Sequence, residues 1–208
     1  MTVLPITSPL RAWAERRNIL IGARAIAPGD EAKLWPEEAR RLGSSLLDRL
    51  RASGAARGLA RDLLSSLLAP PCAILADADR VPLWPPGFVG SLAHDETHAL
   101  AAVARETDVA ALGVDLEPAR RLEPEMTALV ATPAERARYD DELLGGVALF
   151  VIKEAVFKAL FPADRRFLEF RDVEVDLEAG IARARYGARC AFFWESGVKI
   201  YALATRES

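Results

Sequence analysis

Apolar residues recur at two different spacings along this chain, and the spacing divides it into helical and extended stretches. Over Glu37 to Leu50 and Ala55 to Leu68 they fall near every third or fourth position, which predicts two helices, the second ended by Pro70-Pro71. Helical spacing returns at Pro124 to Val130, Pro133 to Leu144 and Val147 to Leu160. In the last of these, Leu149, Phe150, Ile152, Val156, Phe157 and Leu160 make one apolar stripe, and Pro162 is expected to close the helix. Extended segments are predicted at Ile19 to Ala27, Ala73 to Leu75, Ala99 to Arg105 and Ala110 to Glu117, the last stopped by Pro118. Four more lie at Val173 to Leu177, Ile181 to Tyr186, Ala191 to Glu195 and Val198 to Thr205. The rest of Met1 to Pro36 reads as irregular, and Arg80 to Gly87 as a proline-rich loop. Helices and strands followed by helices and strands predict an α+β protein with a boundary near residues 108–113, hence an N-terminal lobe 1–110 and a C-terminal lobe 111–208.

Composition narrows the function classes. With 208 residues, 51% of them hydrophobic and 27% charged, the chain can bury a core, and its net charge of -3 gives no general affinity for nucleic acid. The charge is uneven: residues 1–68 hold 11 Lys and Arg against 7 Asp and Glu, leaving 16 against 23 in the remainder. A basic run of this kind fits a solvated helix face or the binding of a nucleotide phosphate. Cys72 and Cys190 have no metal-ligand spacing, no apolar stretch is long enough to span a bilayer, and no charged leader precedes an apolar core. A reduced, cytoplasmic protein without membrane partners is the expectation.

Chemistry concentrates in two short segments. In Gly113-Val114-Asp115-Leu116-Glu117, strand alternation puts both carboxylates on one face and Val114 and Leu116 on the other, toward the core. Two such charges about 4 Å apart repel by about 4 kcal/mol at an effective dielectric near 20, so they call for a cation. Magnesium suits them, because it takes oxygen ligands and shares them with substrate phosphates. On the later helix, Glu154 and Lys158 are four residues apart and share a face, where the plainer reading is a surface ion pair.

These segments resemble the 4'-phosphopantetheinyl transferases, in the branch that activates siderophore, peptide and polyketide synthases. Trp84-Pro85-Pro86-Gly87-Phe88-Val89-Gly90-Ser91-Leu92-Ala93-His94 is similar to the family's tryptophan-proline lead into a serine-histidine motif, with Ala93 where Ser or Thr is usual. Gly113 to Glu117 resembles the metal motif, and Phe150 to Pro162 with Phe167-Leu168-Glu169-Phe170 resembles the lysine-glutamate helix and the strand entry after it. The resemblance implies two similar lobes related by a pseudo-twofold, each with a small antiparallel sheet and a long helix, and coenzyme A held in the cleft between them. It implies Mg²⁺-dependent transfer of the phosphopantetheine arm of coenzyme A to a serine of an acyl or peptidyl carrier protein, releasing 3',5'-adenosine bisphosphate. A monomer is expected.

By this resemblance Asp115, Glu117 and Glu154 hold the metal, Glu154 is also a base for the carrier serine, and Lys158 neutralises or protonates the leaving phosphate. Lys153 contacts phosphate or pairs with a neighbouring acid. His94 is a phosphate contact and Ser91 a weaker one, while His98 matches no motif position and is expected to be exposed. In the basic segment Arg57 fits the family's final arginine, but the usual Glu-Phe pair is missing. The nucleotide 3'-phosphate then falls to Arg57 or to Arg49 and Arg51, with Arg80 the local cation near Asp79. A carrier-binding patch is expected within Leu122 to Tyr139, around Met126, Leu129 and Val130 with Arg121, Arg136 and Arg138. Two other readings stand beside the transferase: a non-enzymatic relative that binds carrier protein or nucleotide, and a metal-dependent phosphodiesterase, which Asp-x-Glu with a later Glu and Lys also suits.

Overall fold

The computed structural model describes residues 3–4, 6, 8–43, 46–139 and 146–207. The chain forms two units, Met1–Ala110 and Ala111–Ser208, each with its own antiparallel sheet and long helix.

In the first unit, β1 (Val3–Leu4), β2 (Leu20–Ala25), β3 (Phe88–His94) and β4 (His98–Arg105) lie in the order β1-β2-β4-β3. The run from Ala99 to Ala104 is wholly buried, as suits a central strand covered on both faces. Around the sheet are α1 (Ser8–Glu15), α2 (Pro36–Leu42) and α3 (Leu47–Ser66). Ala55, Ala56, Leu59, Ala60 and Leu64 form the buried stripe of α3, and its small residues let the helix lie close to the sheet.

Several expectations for this unit are corrected. Residues 8–15 are helical rather than irregular: Pro9 near the start suits a helix N-terminus, and Leu10, Trp13 and Ala14 make a short buried stripe. The two expected helices divide differently, since α2 stops at Gly43 and α3 begins by Leu47 and continues through Ser53 and Gly54, both buried. No strand forms at Ala73 to Leu75. The Ile74 amide instead donates to the Glu38 carboxylate at 2.7 Å, and the local pairing is a single bridge between Ala76 and Pro82. Strand β3 was not among the predicted elements.

In the second unit, β5 (Leu112–Pro118), β6 (Val173–Asp176), β7 (Ile181–Ala184), β8 (Arg189–Ser196) and β9 (Lys199–Arg206) lie in the order β5-β9-β8-β7-β6. Two short helices, α4 (Pro124–Val130) and α5 (Pro133–Arg138), precede the long α6 (Ala148–Asp164). Buried Ile152, Ala155, Val156, Ala159 and Leu160 of α6 pack with Val173, Val175, Phe192 and Ala202 in one core. Pro162 does not close α6. It sits inside the last turn, forgoing one backbone bond, and the helix ends where Arg165 takes a left-handed conformation with φ 51°. The expected helix from Pro133 is described only to Arg138, and residues 140–144 of that expectation lie outside the described residues.

Candidate active site

Strand β5 and helix α6 meet where Gly113 has no side chain. A Cβ there would stand 2.0 Å from the Ala155 carbonyl oxygen and 2.5 Å from the Ala159 nitrogen, so only glycine lets this strand lie against this helix. Side-chain alternation then turns Asp115 and Glu117 toward the same side as that contact. Val114 and Leu116 are buried on the other face, so both faces of β5 are covered, not one alone.

The close approach brings Lys158 Nζ to 2.6 Å from Asp115 Oδ1. The ammonium thus serves the strand carboxylate, which the plainer reading of a surface pair with Glu154 leaves out. Glu154 lies one turn earlier on α6, half-buried, near enough to feel the charges of Asp115, Glu117 and Lys158. Burial, then Asp115 and Glu117, raise its carboxyl above the usual range against the pull of Lys158. Burial also raises Asp115, outweighing the attraction and hydrogen bond of Lys158. Asp115 and Glu117 thus both act on Glu154, while Lys158, which pairs with Asp115, acts on it with the opposite sign. Among the described residues no three His, Cys, Asp or Glu side chains stand ready to hold a metal ion by themselves. Oxygen donors that leave several positions to water and phosphate nevertheless fit magnesium, which is commonly held by one or two protein carboxylates.

Lys153 has a different surrounding from the one expected of a phosphate contact. It is 2% exposed, and its ammonium donates to Glu135 Oε2 at 2.7 Å, the Val130 carbonyl at 2.8 Å and the Phe170 carbonyl at 3.0 Å. All three hydrogens are taken by protein acceptors, which matches the expected pairing with a neighbouring acid. Beside Glu154 opens a cavity of about 620 Å³, its apolar wall made by Leu129, Phe157, Phe167, Leu168, Phe170 and Val173, with Lys153, Glu169 and Arg171 also in its lining. Phe157 stacks on Phe161 with centroids 4.9 Å apart and meets the edge of Phe167 at 5.6 Å. In the patch expected around Met126, Val130 belongs to the core and Met126 packs against it, while Leu129 is exposed.

In the first unit, Ser91 and His94 lie on β3, Ser91 buried and His94 exposed at the strand's end. The Trp84 ring covers Gly90, where a Cβ would fall 2.6 Å from it, so the tryptophan-proline lead packs directly on this strand. His98 is half-buried rather than exposed, its Nδ1 2.7 Å from Thr97 Oγ1. The basic residues are dispersed. Arg49 is exposed on α3, Arg51 pairs with Glu31 at 3.2 Å and Asp48 at 3.3 Å, and Arg80 is exposed in the turn after Asp77. Arg57 is engaged with protein: its Nε donates to the Ile74 carbonyl at 2.9 Å and its Nη1 to Ser53 Oγ.

Three buried carboxylates, Asp30, Glu38 and Glu135, escaped the sequence reading, and two of them are alike. Glu38 accepts from the Trp35 amide at 2.8 Å, the Ile74 amide at 2.7 Å and the Arg61 guanidinium of α3 at 2.7 Å. Glu135 accepts from the Thr132 amide at 2.8 Å, the Val175 amide at 2.8 Å and Lys153 of α6 at 2.7 Å. Each unit therefore has the same hub: a capping glutamate that ties its own helix start, a strand or loop amide and a cation of the long helix. The sequence signal was present, as cap-Pro-x-Glu in both Trp35-Pro36-Glu37-Glu38 and Thr132-Pro133-Ala134-Glu135.

An α+β protein of two units, with a carboxylate-rich strand packed on a lysine-glutamate helix, has the features of a phosphoryl-type transferase. Residues 37–104 match the 4'-phosphopantetheinyl transferase N-terminal domain and residues 111–205 the 4'-phosphopantetheinyl transferase superfamily. The chain is 37% identical over 194 residues to 4'-phosphopantetheinyl transferase Svp of Streptomyces mobaraensis, covering 86% of this chain and 75% of that protein. It is 35% identical to 4'-phosphopantetheinyl transferase PptT of Mycobacterium tuberculosis over 147 residues, 69% of this chain and 65% of that one. Enterobactin synthase component D of Escherichia coli is 33% identical over 128 residues, 58% and 60% of the two chains. The chain belongs to the 4'-phosphopantetheinyl transferase family and is a transferase enzyme.

Proposed function

We propose that this enzyme moves the 4'-phosphopantetheine arm of coenzyme A to a serine of an apo acyl or peptidyl carrier protein and releases 3',5'-adenosine bisphosphate. The observation that carries this reading is the Asp115–Lys158 ion pair beside Glu154, a carboxylate that also feels the charge of Glu117 and lines the cavity. A diphosphate needs positive charge against it, and the uncharged pantetheine arm suits the apolar side chains of the cavity wall. The serine oxygen bonds to the phosphorus that bears the pantetheine arm, and the bond from that phosphorus to the bridging oxygen breaks, its electron pair leaving with the adenosine bisphosphate. Glu154, raised in pKa by burial and its acidic neighbours, takes the serine proton directly or through a water. Lys158 faces the charge that develops on the leaving phosphate.

Magnesium, held by Asp115, Glu117 and Glu154 together with the diphosphate, would draw charge from the reacting phosphorus. His94 is assigned to phosphate by its place in the segment similar to the family's serine-histidine motif, at the exposed end of β3. A single chain matching both family segments supports a monomer. The free thiols Cys72 and Cys190 suit the reducing cytoplasm, and no described helix is long and apolar enough to cross a membrane. Incubation with coenzyme A, Mg²⁺ and a set of apo carriers, read by intact mass, tests the proposal. A carrier heavier by one phosphopantetheine is expected. Binding of coenzyme A without any modified carrier would favour the non-enzymatic relative, and hydrolysis without transfer the phosphodiesterase.

A further inference from the structure

Lys153 and Glu154 are adjacent on α6 and leave it in directions about 100° apart; both line the cavity, but the Lys153 ammonium is only 2% exposed and is held among protein acceptors. The three acceptors of the Lys153 ammonium belong to three separate pieces of chain. Val130 ends α4, whose Leu129 lines the cavity; Phe170 begins the turn at 170–172, and its ring lines the cavity too; Glu135 is the hub of α5. A guanidinium hydrogen bond from Arg171 to the Ala128 carbonyl joins the first two pieces from outside. The walls beside Glu154 are thus held to the helix that carries Glu154 through one buried ammonium. Arg61 meets Glu38 in the same way in the first unit, but no neighbouring residue of α3 is a candidate for the chemistry.

We propose that Lys153 is a positioning residue for the transfer: with Glu135 as its counter-ion, it clamps the Val130 and Phe170 carbonyls around α6 and so fixes Glu154 against the cavity. The inference rests on the reading of Glu154 as the base of the transfer. Turning the ammonium toward a phosphate would strand the Glu135 carboxylate, buried at 1% exposure, without its cation. Glu135 itself touches no substrate, yet it should matter to the reaction as much as Lys153 does.

The test compares Lys153→Met, Lys153→Arg, Glu135→Gln and the double variant Lys153→Met/Glu135→Gln in the full chain. In Lys153→Met and Glu135→Gln alike, kcat should fall about tenfold or more while KM for coenzyme A stays within about twofold. The double variant should be no worse than the poorer single one, because the two groups act as a unit. Lys153→Arg should not rescue kcat, since a planar fork does not fit a closed three-acceptor cage, whereas a phosphate contact would keep much of its function with Arg. Two readouts do not depend on turnover: deuterium exchange of the amides at 168–173 should quicken, and Mn²⁺ binding followed by electron paramagnetic resonance should weaken in Glu135→Gln. Coenzyme A binding weakened about tenfold in Lys153→Met but unchanged in Glu135→Gln would overturn the clamp in favour of a phosphate contact. A folded Glu135→Gln protein with unaltered exchange and unaltered Mn²⁺ affinity would overturn it as well. If the wild-type enzyme modifies no carrier, the reading of Glu154 as a catalytic base falls, and the exchange and Mn²⁺ measurements still decide the clamp.

Discussion

Lys158 of α6 and Asp115 of β5, 43 residues apart in the chain, form an ion pair at 2.6 Å that joins the two elements. Their partnership sets a positive charge against a carboxylate that burial would otherwise leave costly. Asp115→Ala should lower kcat/KM about a thousandfold or more, the scale expected when a main electrostatic contact to the transition state is lost. The melting temperature should change little, since the deletion also relieves the repulsion felt by Glu154. Turnover of a carrier followed by mass, beside a circular-dichroism melt, checks both halves, and near-normal turnover would remove Asp115 from the site.

Gly113→Ala should damage the enzyme through packing alone. Its added carbon meets the Ala155 carbonyl and the Ala159 nitrogen, both backbone atoms that cannot rotate away. A loss of about 1–3 kcal/mol, the usual cost of overpacking, is expected in urea titration. Activity should fall with it because β5 and α6 must separate, carrying Asp115 from Lys158. An unchanged urea midpoint would mean that the close approach is not maintained in solution.

For the nucleotide end, the surroundings of the arginines separate their roles. Arg57 is already bonded to Ile74 and Ser53, so Arg57→Ala should lower stability and weaken coenzyme A and dephospho-coenzyme A equally. Arg49 is exposed, and Arg49→Ala should weaken coenzyme A about tenfold while sparing the dephospho form, as loss of one charge-assisted contact to the 3'-phosphate would do. Calorimetric titration of both ligands separates the two. Equal loss for both in Arg49→Ala would return that residue to a solvated helix face.

Acid stability of the first unit should depend on Asp30. Burial pushes its carboxyl upward, but hydrogen bonds from the Ala27 amide, Lys33 and Arg24 outweigh this and hold it below the usual carboxylate range. A folded-state pKa below the unfolded one gives a contribution that is complete above that unfolded value and vanishes as pH falls through the folded one. Asp30→Asn should therefore destabilise the protein at neutral pH and flatten the acid limb of its stability curve below about pH 4. Parallel acid limbs for the two proteins would assign that limb to other carboxylates.

Local periodicity was enough to place β5, α4, α6 and the four C-terminal strands within a few residues, because their apolar positions recur at the spacing of the element they form. It was weaker where tertiary packing overrode local pattern: in α3, where buried Ser53 and Gly54 look like a break, and at Ile74, whose amide goes to a side chain in place of a strand. The order and spacing of Asp115, Glu117, Glu154 and Lys158 were legible as chemistry, since residue type alone says that clustered carboxylates want a cation. Which cation serves which carboxylate was not. Glu154 and Lys158 are neighbours on any helix, but only the packing of Gly113 against Ala155 turns Lys158 to Asp115. Likewise the sequence presents Lys153 and Lys158 as two similar lysines, while the fold buries one in a cage of carbonyls around Glu135 and leaves the other among the acids. A charge's role depends on what lies within about 3–4 Å of it, and distances of that order between remote segments exist only once the chain has folded.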